Sequence, residues 1–542
     1  MPFIAILAVE ILLFKDGVRW WYGDDPALLR IAVNYDFFDM FFSPSAYREM
    51  TASNFTPMAF ALYRLDYLLF GISPFCFYLH HYSMLYLTLV LFFKVCVTRF
   101  SPAGSFAAVL IFMLTLPFLQ SGEFLMQRHY TEGLFFVLGA FYLFYRYLET
   151  GGKPWAFAAA MAYLVSALAK EIFVPLPVLL LFLPEKTFRQ RVPGLIPLFF
   201  SLGVYFIWRK VMLAGTGGYG LTLGVGQIFA LPGDLLALIG GAQPGFVVAV
   251  FLMAAVFFTV ARPGEKLFAI ILAFVVVLPI LPVIALKEIR YALLPALVVG
   301  VLSGWCVHRF CTGCGTGKLN KKTGRLKACS MGALVACTGM MLTINMVGWF
   351  PGFRAFHHKS MVEGDYLLSH GDDKDFMWGI VNAPVFFNGL GWLRTEVLGL
   401  EKGPRPLFDR FQLLQENDYN VLAYHEDLKK IVPVDGFDRQ MEQFARTLDM
   451  EKALGIELSY EEPLVEWKFG PWDDGEYTLI FEGYYPKRIP LPKTGRFPLK
   501  FNEDVCVRLQ YRSTRGWVTS SPVLEFKCKG GNARLAWQRG KN

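Results

Sequence analysis

The chain contains 542 residues, of which 55% are hydrophobic and 16% aromatic. A soluble globular protein could not cover that much apolar surface, so the composition excludes this class and indicates an integral membrane protein. The 52 Lys and Arg residues outnumber the 44 Asp and Glu residues, and the formal net charge is +8. We attribute this excess of basic residues to the cytoplasmic loops and to contacts with anionic lipid headgroups. We expect no nucleic-acid partner, because no helix-turn-helix, zinc-finger or RNA-binding signature occurs.

Apolar runs occupy most of the first 350 residues. Several are shorter than the ~20 residues that cross the hydrocarbon core, so their ends must extend into flanking aromatic and polar positions. The pattern predicts an all-α polytopic membrane bundle of about eleven transmembrane helices. The runs lie near 1–14, 75–93, 103–118, 132–145, 155–169, 172–184, 195–213, 244–261, 267–286, 291–307 and 329–349.

Basic residues collect after every second predicted helix. Short cytoplasmic loops gather Lys and Arg, so this alternation predicts the orientation. If the N-terminus is cytoplasmic, the basic residues of the cytoplasmic loops are Lys94, Arg99, Arg146, Lys153, Lys186, Arg189, Arg191, Arg262, Lys266, Arg309, Lys318, Lys321, Lys322, Arg325 and Lys327. The pattern therefore predicts a cytoplasmic N-terminus and an external C-terminus.

The composition changes from about residue 351, where charged residues become frequent and no further stretch is long and apolar enough to span a bilayer. Residues 477–485 and 505–511 have the β-branched and aromatic alternation of strands, whereas 405–450 is typical of mixed or helical elements. We predict a transmembrane domain at 1–350 and an external, soluble α+β or β-rich domain at 351–542.

Ionisable residues gather on the predicted external face. Such groups at helix ends close to a membrane are often substrate or ion sites, because burying them without a role costs free energy. The candidates of this face are Asp24, Asp25, Glu123, Arg128, His129, Lys170, Glu171, Lys287 and Arg290, with Tyr291 beside the last.

The pair Asp24 and Asp25 lies just past the first apolar segment. A carboxylate at the water-exposed end of a helix bundle is suited to take a proton from an attacking hydroxyl. The competing interpretation is a helix cap, because Pro26 follows the pair and opens a good helix start. We favour the base over the cap because the other external loops bring cations to the same face.

The remaining candidates fit a substrate-binding role. Cations of this kind hold a phosphate and stabilise it as it leaves, and the predicted phosphate ligands are Arg128, Lys170 and Arg290. His129 is favoured over His80 and His81, which are more typical of bundle contacts, because it lies beside Arg128 on the external face. Glu171, Lys287 and Tyr291 complete the predicted set.

Several short segments follow one another in a recognisable order: the external Asp-Asp, Phe55-Thr-Pro-Met-Ala-Phe60, Tyr67-Leu-Leu-Phe-Gly-Ile-Ser-Pro-Phe75, the step Ala169-Lys170-Glu171 and the run from Lys287 to Pro295. In this order the chain resembles the GT-C class of polyprenyl-phosphate-dependent glycosyltransferases. The resemblance covers roughly residues 15–300. Within this class, the chain is similar to protein O-mannosyltransferases and bacterial aminoarabinose transferases.

This resemblance implies a hexosyl or pentosyl transferase with a polyprenyl-phosphate sugar donor and a protein, lipid or glycan acceptor. It places the base on the first external loop and the enzyme in a bacterial inner membrane, with the C-terminal domain in the periplasm. Many relatives carry Asp-Glu with the first residue as base, whereas this chain carries Asp-Asp. The choice between Asp24 and Asp25 therefore stays open.

Two further interpretations concern metals and transport. A divalent metal could bind a carboxylate cluster, but the acidic residues are as readily paired with Lys170, Arg128 and Arg290, so we expect no cofactor. A multi-span transporter or flippase of lipid-linked or small polar substrates is the alternative function. It should show paired halves with broken helices at matching positions, and no such repeat occurs in the sequence.

Overall fold

Helices build the first part of the computed structural model, and strands build most of the last part. The chain falls into two units, Met1–His357 and His358–Asn542. The sequence-based division at 350/351 lies inside the same long helix as this boundary, and its assignment of roles stays a prediction. The described residues are 2–51, 54–184, 186–215, 225–241, 243–281, 288–315, 321–369, 372, 374–380, 389–407, 410–414, 416, 418–461, 464–482, 487–498, 501, 504–529 and 531–540.

The helices of the first unit are numbered in chain order, and the last of them continues past the boundary at His357. They are α1 (Pro2–Phe14), α2 (Asp25–Asn34), α3 (Phe37–Phe42), α4 (Pro44–Met50), α5 (Pro57–Phe70), α6 (Pro74–Val97), α7 (Pro102–Met113), α8 (Leu116–Glu123), α9 (Arg128–Thr150), α10 (Lys153–Ala169), α11 (Leu176–Leu181), α12 (Phe188–Leu213), α13 (Val225–Gly240), α14 (Pro244–Val260), α15 (Pro263–Val277), α16 (Leu293–Gly315) and α17 (Lys321–Ser369).

Five helices in the described part of the chain are long and apolar enough to cross a membrane, or up to seven if each of two bent pairs is one span. The five are Pro74–Val97, Phe188–Leu213, Pro263–Leu281, Ile289–Thr312 and Ser330–Ser369. One bent pair joins α7 to α8 at 64°. The multi-pass membrane character predicted from composition is therefore confirmed, whereas the number of about eleven helices stays a prediction.

Prolines mark where many of these helices begin. Proline suits the first helical turn because its missing N–H would have no partner there, and a preceding Ser or Thr can cap the turn. Ser73 precedes Pro74 at the start of α6, and Ser101 precedes Pro102 at the start of α7. The Ser101 hydroxyl accepts a 3.2 Å hydrogen bond from the backbone N–H of Gly104.

Glycines let α7 and α16 approach closely. A Cβ at Gly304 would lie 2.7 Å from the carbonyl oxygen of Gly104, and one at Gly300 would lie 2.7 Å from that of Ala108. Gly300 and Gly304 have the small-xxx-small spacing that brings membrane helices into backbone contact. This contact requires glycine, because a real Cβ could not stand that near backbone.

Short 3-10 turns interrupt the helical bundle where the predicted site residues occur. One turn, Leu125–Gln127, ends at α9, whose first residues are Arg128 and His129. Another, Glu171–Phe173, follows Lys170. A third, Ile289–Ala292, contains Arg290 and Tyr291 and precedes α16. Helix ends leave backbone groups and side chains free to point at a common space.

The second unit begins with a mixed sheet. Its strands are β1 (Asp375–Trp378), β2 (Arg405–Leu407), β3 (Asn420–His425) and β4 (Lys430–Pro433), in the order β2-β1-β3-β4. β1 pairs parallel with β2 and β3, and β3 pairs antiparallel with β4. Helix α18 (Phe437–Ala445) follows, and Phe437 packs with Phe376 and Leu407 in the core of this sheet.

Two antiparallel sheets complete the second unit. Their strands are β5 (Leu454–Glu461), β6 (Leu464–Gly470), β7 (Gly475–Glu482), β8 (Lys487–Leu491), β9 (Thr494–Pro498), β10 (Val505–Ser513), β11 (Val518–Ser520), β12 (Leu524–Phe526) and β13 (Asn532–Arg539). One sheet has the order β11-β10-β7-β8 with β12 on β10, and the other β13-β5-β6-β9. Alternate residues of both sheets share one core, and the predicted β-rich C-terminal region is confirmed.

Candidate active site

The two acidic residues of the first loop occupy different environments. Asp24 is exposed at the position before α2, and its side chain makes no capping hydrogen bond. Asp25 is fully buried in the first turn of α2. Its Oδ2 accepts a 2.7 Å hydrogen bond from the Tyr22 backbone N–H, and its Oδ1 accepts one of 2.6 Å from the Tyr63 hydroxyl. Asp25 therefore fixes the loop to α5, while Asp24 faces outward.

The burial of Asp25 changes its ionisation. Asp25 lies outside the candidate membrane spans. Burial raises the pKa of its carboxyl from 3.8 to about 7, although the hydrogen bonds from Tyr63 and Tyr22 act in the opposite direction. Removing a carboxyl group from water disfavours the ionised form. The neighbouring hydrogen-bond donors offset only part of this desolvation cost.

Arg128 lies fully buried between two carboxylates. Its Nη1 donates a 2.5 Å hydrogen bond to Asp66, and its Nε donates one of 3.0 Å to Glu132. The guanidinium also lies 5.0 Å from the centroid of the Tyr63 ring. Because both acids are engaged and no surface is exposed, this cation ties α5 to α9 beside the residue that holds Asp25.

The adjacent histidines extend this buried network. His80 Nδ1 lies 2.7 Å from Asp66 Oδ1 and 3.3 Å from the Arg128 guanidinium. His81 is fully buried, and its Nε2 lies 2.7 Å from the carbonyl oxygen of Ser121. Both histidines thus contact neighbouring elements of the bundle.

Arg290, Lys170 and His129 come from separate turns but form one cluster. Lys170 Nζ lies 5.0 Å from the centroid of the Tyr130 ring, and that ring lies 6.4 Å from the ring of Tyr291. The His129 ring lies 4.6 Å from the same Tyr130 ring, and Arg290 lies 5.6 Å from the ring centroid of Tyr291. The structure therefore brings together the residues that the sequence placed on one face in three different loops.

Asp24 lies beside the turn that leads to His129. Arg290 also pairs with Glu288 and lies 5.6 Å from the centroid of the Tyr291 ring. The backbone N–H of Asp24 contacts the Met126 sulfur at 3.3 Å, just before α9. An exposed carboxylate and a cluster of cations thus share one region of the first unit.

Glu171 directly follows Lys170 of this cluster, and its side chain contacts other elements. Glu171 pairs with Arg209 at 2.9 Å and accepts a 2.9 Å hydrogen bond from the Phe55 backbone N–H, so it connects the first loop with α12. Lys287 lies outside the described residues.

Sequence reasoning missed Tyr63, Asp66 and Glu132, whose contacts hold the site together. Tyr63 and Asp66 lie on one side of α5 at a spacing of three, and Arg128 and Glu132 are spaced i,i+4 on α9. Polar residues at these spacings in apolar helices were the available signal. Among the described residues, no group of three or more His, Cys, Asp and Glu side chains could hold a metal ion.

No family model and no curated protein matches the chain. The apo crystal structure of ArnT from Cupriavidus metallidurans matches with 13% identity and a TM-score of 0.44, over 82% of this chain and 95% of that chain. The apo oligosaccharyltransferase of Archaeoglobus fulgidus matches with 9% identity and a TM-score of 0.41, over 98% and 94%. The arabinofuranosyltransferase AftD from Mycobacteria matches with 14% identity and a TM-score of 0.37, over 70% and 29%.

By their names, the oligosaccharyltransferase and the arabinofuranosyltransferase are glycosyltransferases, the kind of enzyme that the sequence resemblance also indicates. All three TM-scores are below 0.5, and the likeness carries no argument about the donor, the acceptor or the active residues of this chain.

Proposed function

We propose that the chain is an integral membrane glycosyltransferase that moves a hexosyl or pentosyl unit from a polyprenyl-phosphate donor to an acceptor on the external face of the membrane. The observation that carries this proposal is the aromatic pair Tyr130 and Tyr291 with Lys170, Arg290 and His129 against it. The exposed Asp24 contacts Met126 in the turn that leads to His129. A base and a set of cations in one region match the two demands of the reaction, a proton acceptor and a stabilised phosphate leaving group.

Asp24 is the better candidate for the base. A general base must reach the proton that it removes, so geometry is decided before pKa. Asp24 is exposed, whereas Asp25 is fully buried and both of its oxygens already accept hydrogen bonds. We assign Asp25 a positioning role, in which it holds the loop that presents Asp24.

Arg290 and Lys170 are the proposed ligands of the donor phosphate. Both are partly exposed, and Arg290 has an acidic neighbour, Glu288, from which a more highly charged phosphate could displace it. Arg128 is buried and held by Asp66 and Glu132, so we propose that it supports Tyr63 and the loop instead of touching the lipid. Tyr291 and Tyr130 provide the aromatic wall beside these cations.

The proposed reaction is a single displacement. The acceptor hydroxyl transfers its proton to the Asp24 carboxylate, and its oxygen forms a bond to the sugar C1. The bond between C1 and the phosphate oxygen breaks, and the polyprenyl phosphate leaves with the electron pair near Arg290 and Lys170. Inversion at C1 follows from one displacement, and its assignment here rests on the resemblance to the GT-C class.

The placement of the enzyme completes the proposal. The alternation of basic loops supports a cytoplasmic N-terminus, about eleven spans and an external C-terminal domain. The resemblance to bacterial aminoarabinose transferases supports a bacterial inner membrane with that domain in the periplasm. The acceptor is a protein, lipid or glycan hydroxyl, and the proposal includes no metal.

The test is sugar transfer by the purified full-length protein in detergent from a panel of radiolabelled polyprenyl-phosphate sugars. We expect one donor to be consumed, with release of polyprenyl phosphate and a labelled acceptor. The same protein in liposomes should not move the donor across the bilayer. Translocation without cleavage of the sugar–phosphate bond would contradict the proposal and support the transporter or flippase alternative.

A further inference from the structure

A cavity of about 880 Å³ lies between helices of the first unit. It is bounded by α6, α9, α11, α14, α15 and α16, and most of its lining side chains are apolar. A volume of this order is that of a ligand pocket, for which the usual range is about 300–1,000 Å³. Neither Arg290 nor Lys170 belongs to its described lining, so it is distinct from the cationic cluster beside Asp24.

The polar lining groups gather at one end of this cavity. They are Thr98, Arg99, Arg262, Glu265, His308 and Arg309. Three arginines against one glutamate leave two positive charges, with the histidine neutral. Arg290 and Arg309 are separated by about 28 Å along the axis of α16 and the turn before it. That is close to the ~30 Å hydrocarbon thickness, so the arginines lie at the opposite membrane boundary from the proposed active site.

Two of these arginines converge on the start of α15. Arg309 Nη2 lies 3.2 Å from both carboxylate oxygens of Glu265. The Arg99 guanidinium lies 5.4 Å from the ring centroid of Phe268, one turn further along α15. The Phe268 ring positions the Arg99 guanidinium, and the Glu265 carboxylate positions that of Arg309. Both guanidinium groups thus lie beside the apolar cavity and leave its interior open.

Bilayer lipid has access to this region along α15. The side chains of Leu267 and Phe274 are exposed on this apolar helix and do not line the cavity. An exposed apolar face on a candidate span is the surface expected to meet acyl chains. A lipid beside α15 could therefore enter the cavity from the side.

We propose that this cavity binds one anionic phospholipid of the leaflet opposite the active site. Its phosphate is held by Arg99 and Arg309, with Arg262 nearby, and one acyl chain fills the apolar interior. Arginine suits a phosphate because its planar donors engage two oxygens at once. A polyprenyl chain reaching in from the other end would place its apolar terminus against the arginines, which makes a phospholipid the better fit. The proposal is independent of the glycosyltransferase reaction.

The experiment is native mass spectrometry of the delipidated full-length protein with added phosphatidylglycerol or phosphatidylcholine. We expect one phosphatidylglycerol molecule to remain bound to each protein, and we expect phosphatidylcholine to bind more weakly. The double substitution Arg99→Gln and Arg309→Gln should weaken phosphatidylglycerol binding about tenfold or more, since each basic group near an anionic headgroup contributes a separate attraction. The pair Arg99→Lys and Arg309→Lys keeps both charges but loses the two-oxygen contact, so binding should fall between wild type and the double Gln variant.

Two further variants separate the cavity from general charge effects. Lys94→Gln removes an exposed cation near the end of α6 that does not line the cavity, and should leave binding unchanged. Ala254→Phe fills the cavity from α14 without altering charge, and should weaken binding. Thermal unfolding confirms that each variant is folded.

Three outcomes would overturn the proposal. Equal retention of the two phospholipids would show that the headgroup charge does not determine binding. Unchanged phosphatidylglycerol binding in the double Gln variant would show that the two arginines do not hold the phosphate. Displacement of phosphatidylglycerol by equimolar polyprenyl phosphate, or by inorganic phosphate, would assign the site to an isoprenoid chain or to a free anion.

Discussion

The Tyr63 hydroxyl donates a 2.6 Å hydrogen bond to Oδ1 of Asp25. Through this contact a residue of α5 holds the acidic loop whose other aspartate, Asp24, faces outward. The bond joins two fully buried groups. Burial therefore sets how Asp25 ionises, and this has a measurable effect on the stability of the protein.

The stability of the protein should depend on pH through Asp25. The folded-state pKa of about 7 exceeds the ordinary value of 3.8, so the folded protein binds the proton more tightly than the unfolded chain between these values. The free energy of unfolding should consequently fall as pH rises from about 4 to about 7. Asp25→Asn keeps an acceptor for the Tyr22 N–H and cannot titrate, so thermal unfolding of this variant should vary less with pH. Identical pH profiles for Asp25→Asn and wild type would contradict this role.

Removing the buried cation should destabilise the first unit. Arg128→Met leaves Asp66 and Glu132 buried without their partner, which costs about 3–5 kcal/mol. The control is Arg146→Met, which breaks an exposed i,i+3 pair with Glu149 and should cost less than about 1 kcal/mol. Thermal unfolding in detergent measures both. An Arg128→Met protein of wild-type stability that no longer binds the donor would instead support the phosphate-ligand role predicted from the sequence.

The contact between α7 and α16 should tolerate no side chain at its glycines. The Cβ of Gly304→Ala would meet the Gly104 carbonyl oxygen at 2.7 Å, so the helices must separate, at a cost of about 1–3 kcal/mol. Gly203→Ala on α12 meets nothing within 4 Å and serves as the matched control. Comparable unfolding temperatures for the two variants would show that the close approach is absent.

Arg290 should contribute to donor binding more than to stability. Arg290→Gln removes one charge-assisted contact to the phosphate, so we expect KM for the donor to rise about tenfold, while Arg290→Lys retains part of the affinity. Lys210→Gln removes an exposed cation at the end of α12 and should leave KM unchanged. Equal KM values for Arg290→Gln and wild type would show that Arg290 does not bind the donor phosphate.

The sequence was informative where charge and hydropathy alternate along the chain. The basic loops predict that Asp24, Lys170 and Arg290 lie on one face. In the structure, the paired rings of Tyr130 and Tyr291 connect Lys170 with Arg290. Composition likewise predicted the apolar helices and the β-rich end. These features follow from one-dimensional patterns, because a membrane sorts residues by depth.

Contacts between distant helices could not be derived in this way. Arg128 and Arg290 are equivalent as letters in the sequence, but Asp66 and Glu132 enclose the first, while the second stays partly exposed. The same limit applies to Asp24 and Asp25, whose environments differ because the Tyr63 hydroxyl binds the second, which is buried, while the first is exposed. Neighbouring residues of one type are distinguished by tertiary packing, which periodicity does not record.

The most direct test of the central claim compares Asp24→Asn, Asp25→Asn and Asp16→Asn for single-turnover transfer and for donor binding. Asp16 is an exposed carboxylate outside the cluster and provides the control. We expect Asp24→Asn to lower the transfer rate by about 100- to 10,000-fold with donor binding retained. Asp25→Asn should keep measurable transfer, and Asp16→Asn should match wild type. Transfer by Asp24→Asn at the wild-type rate would contradict the assignment of Asp24 as the base.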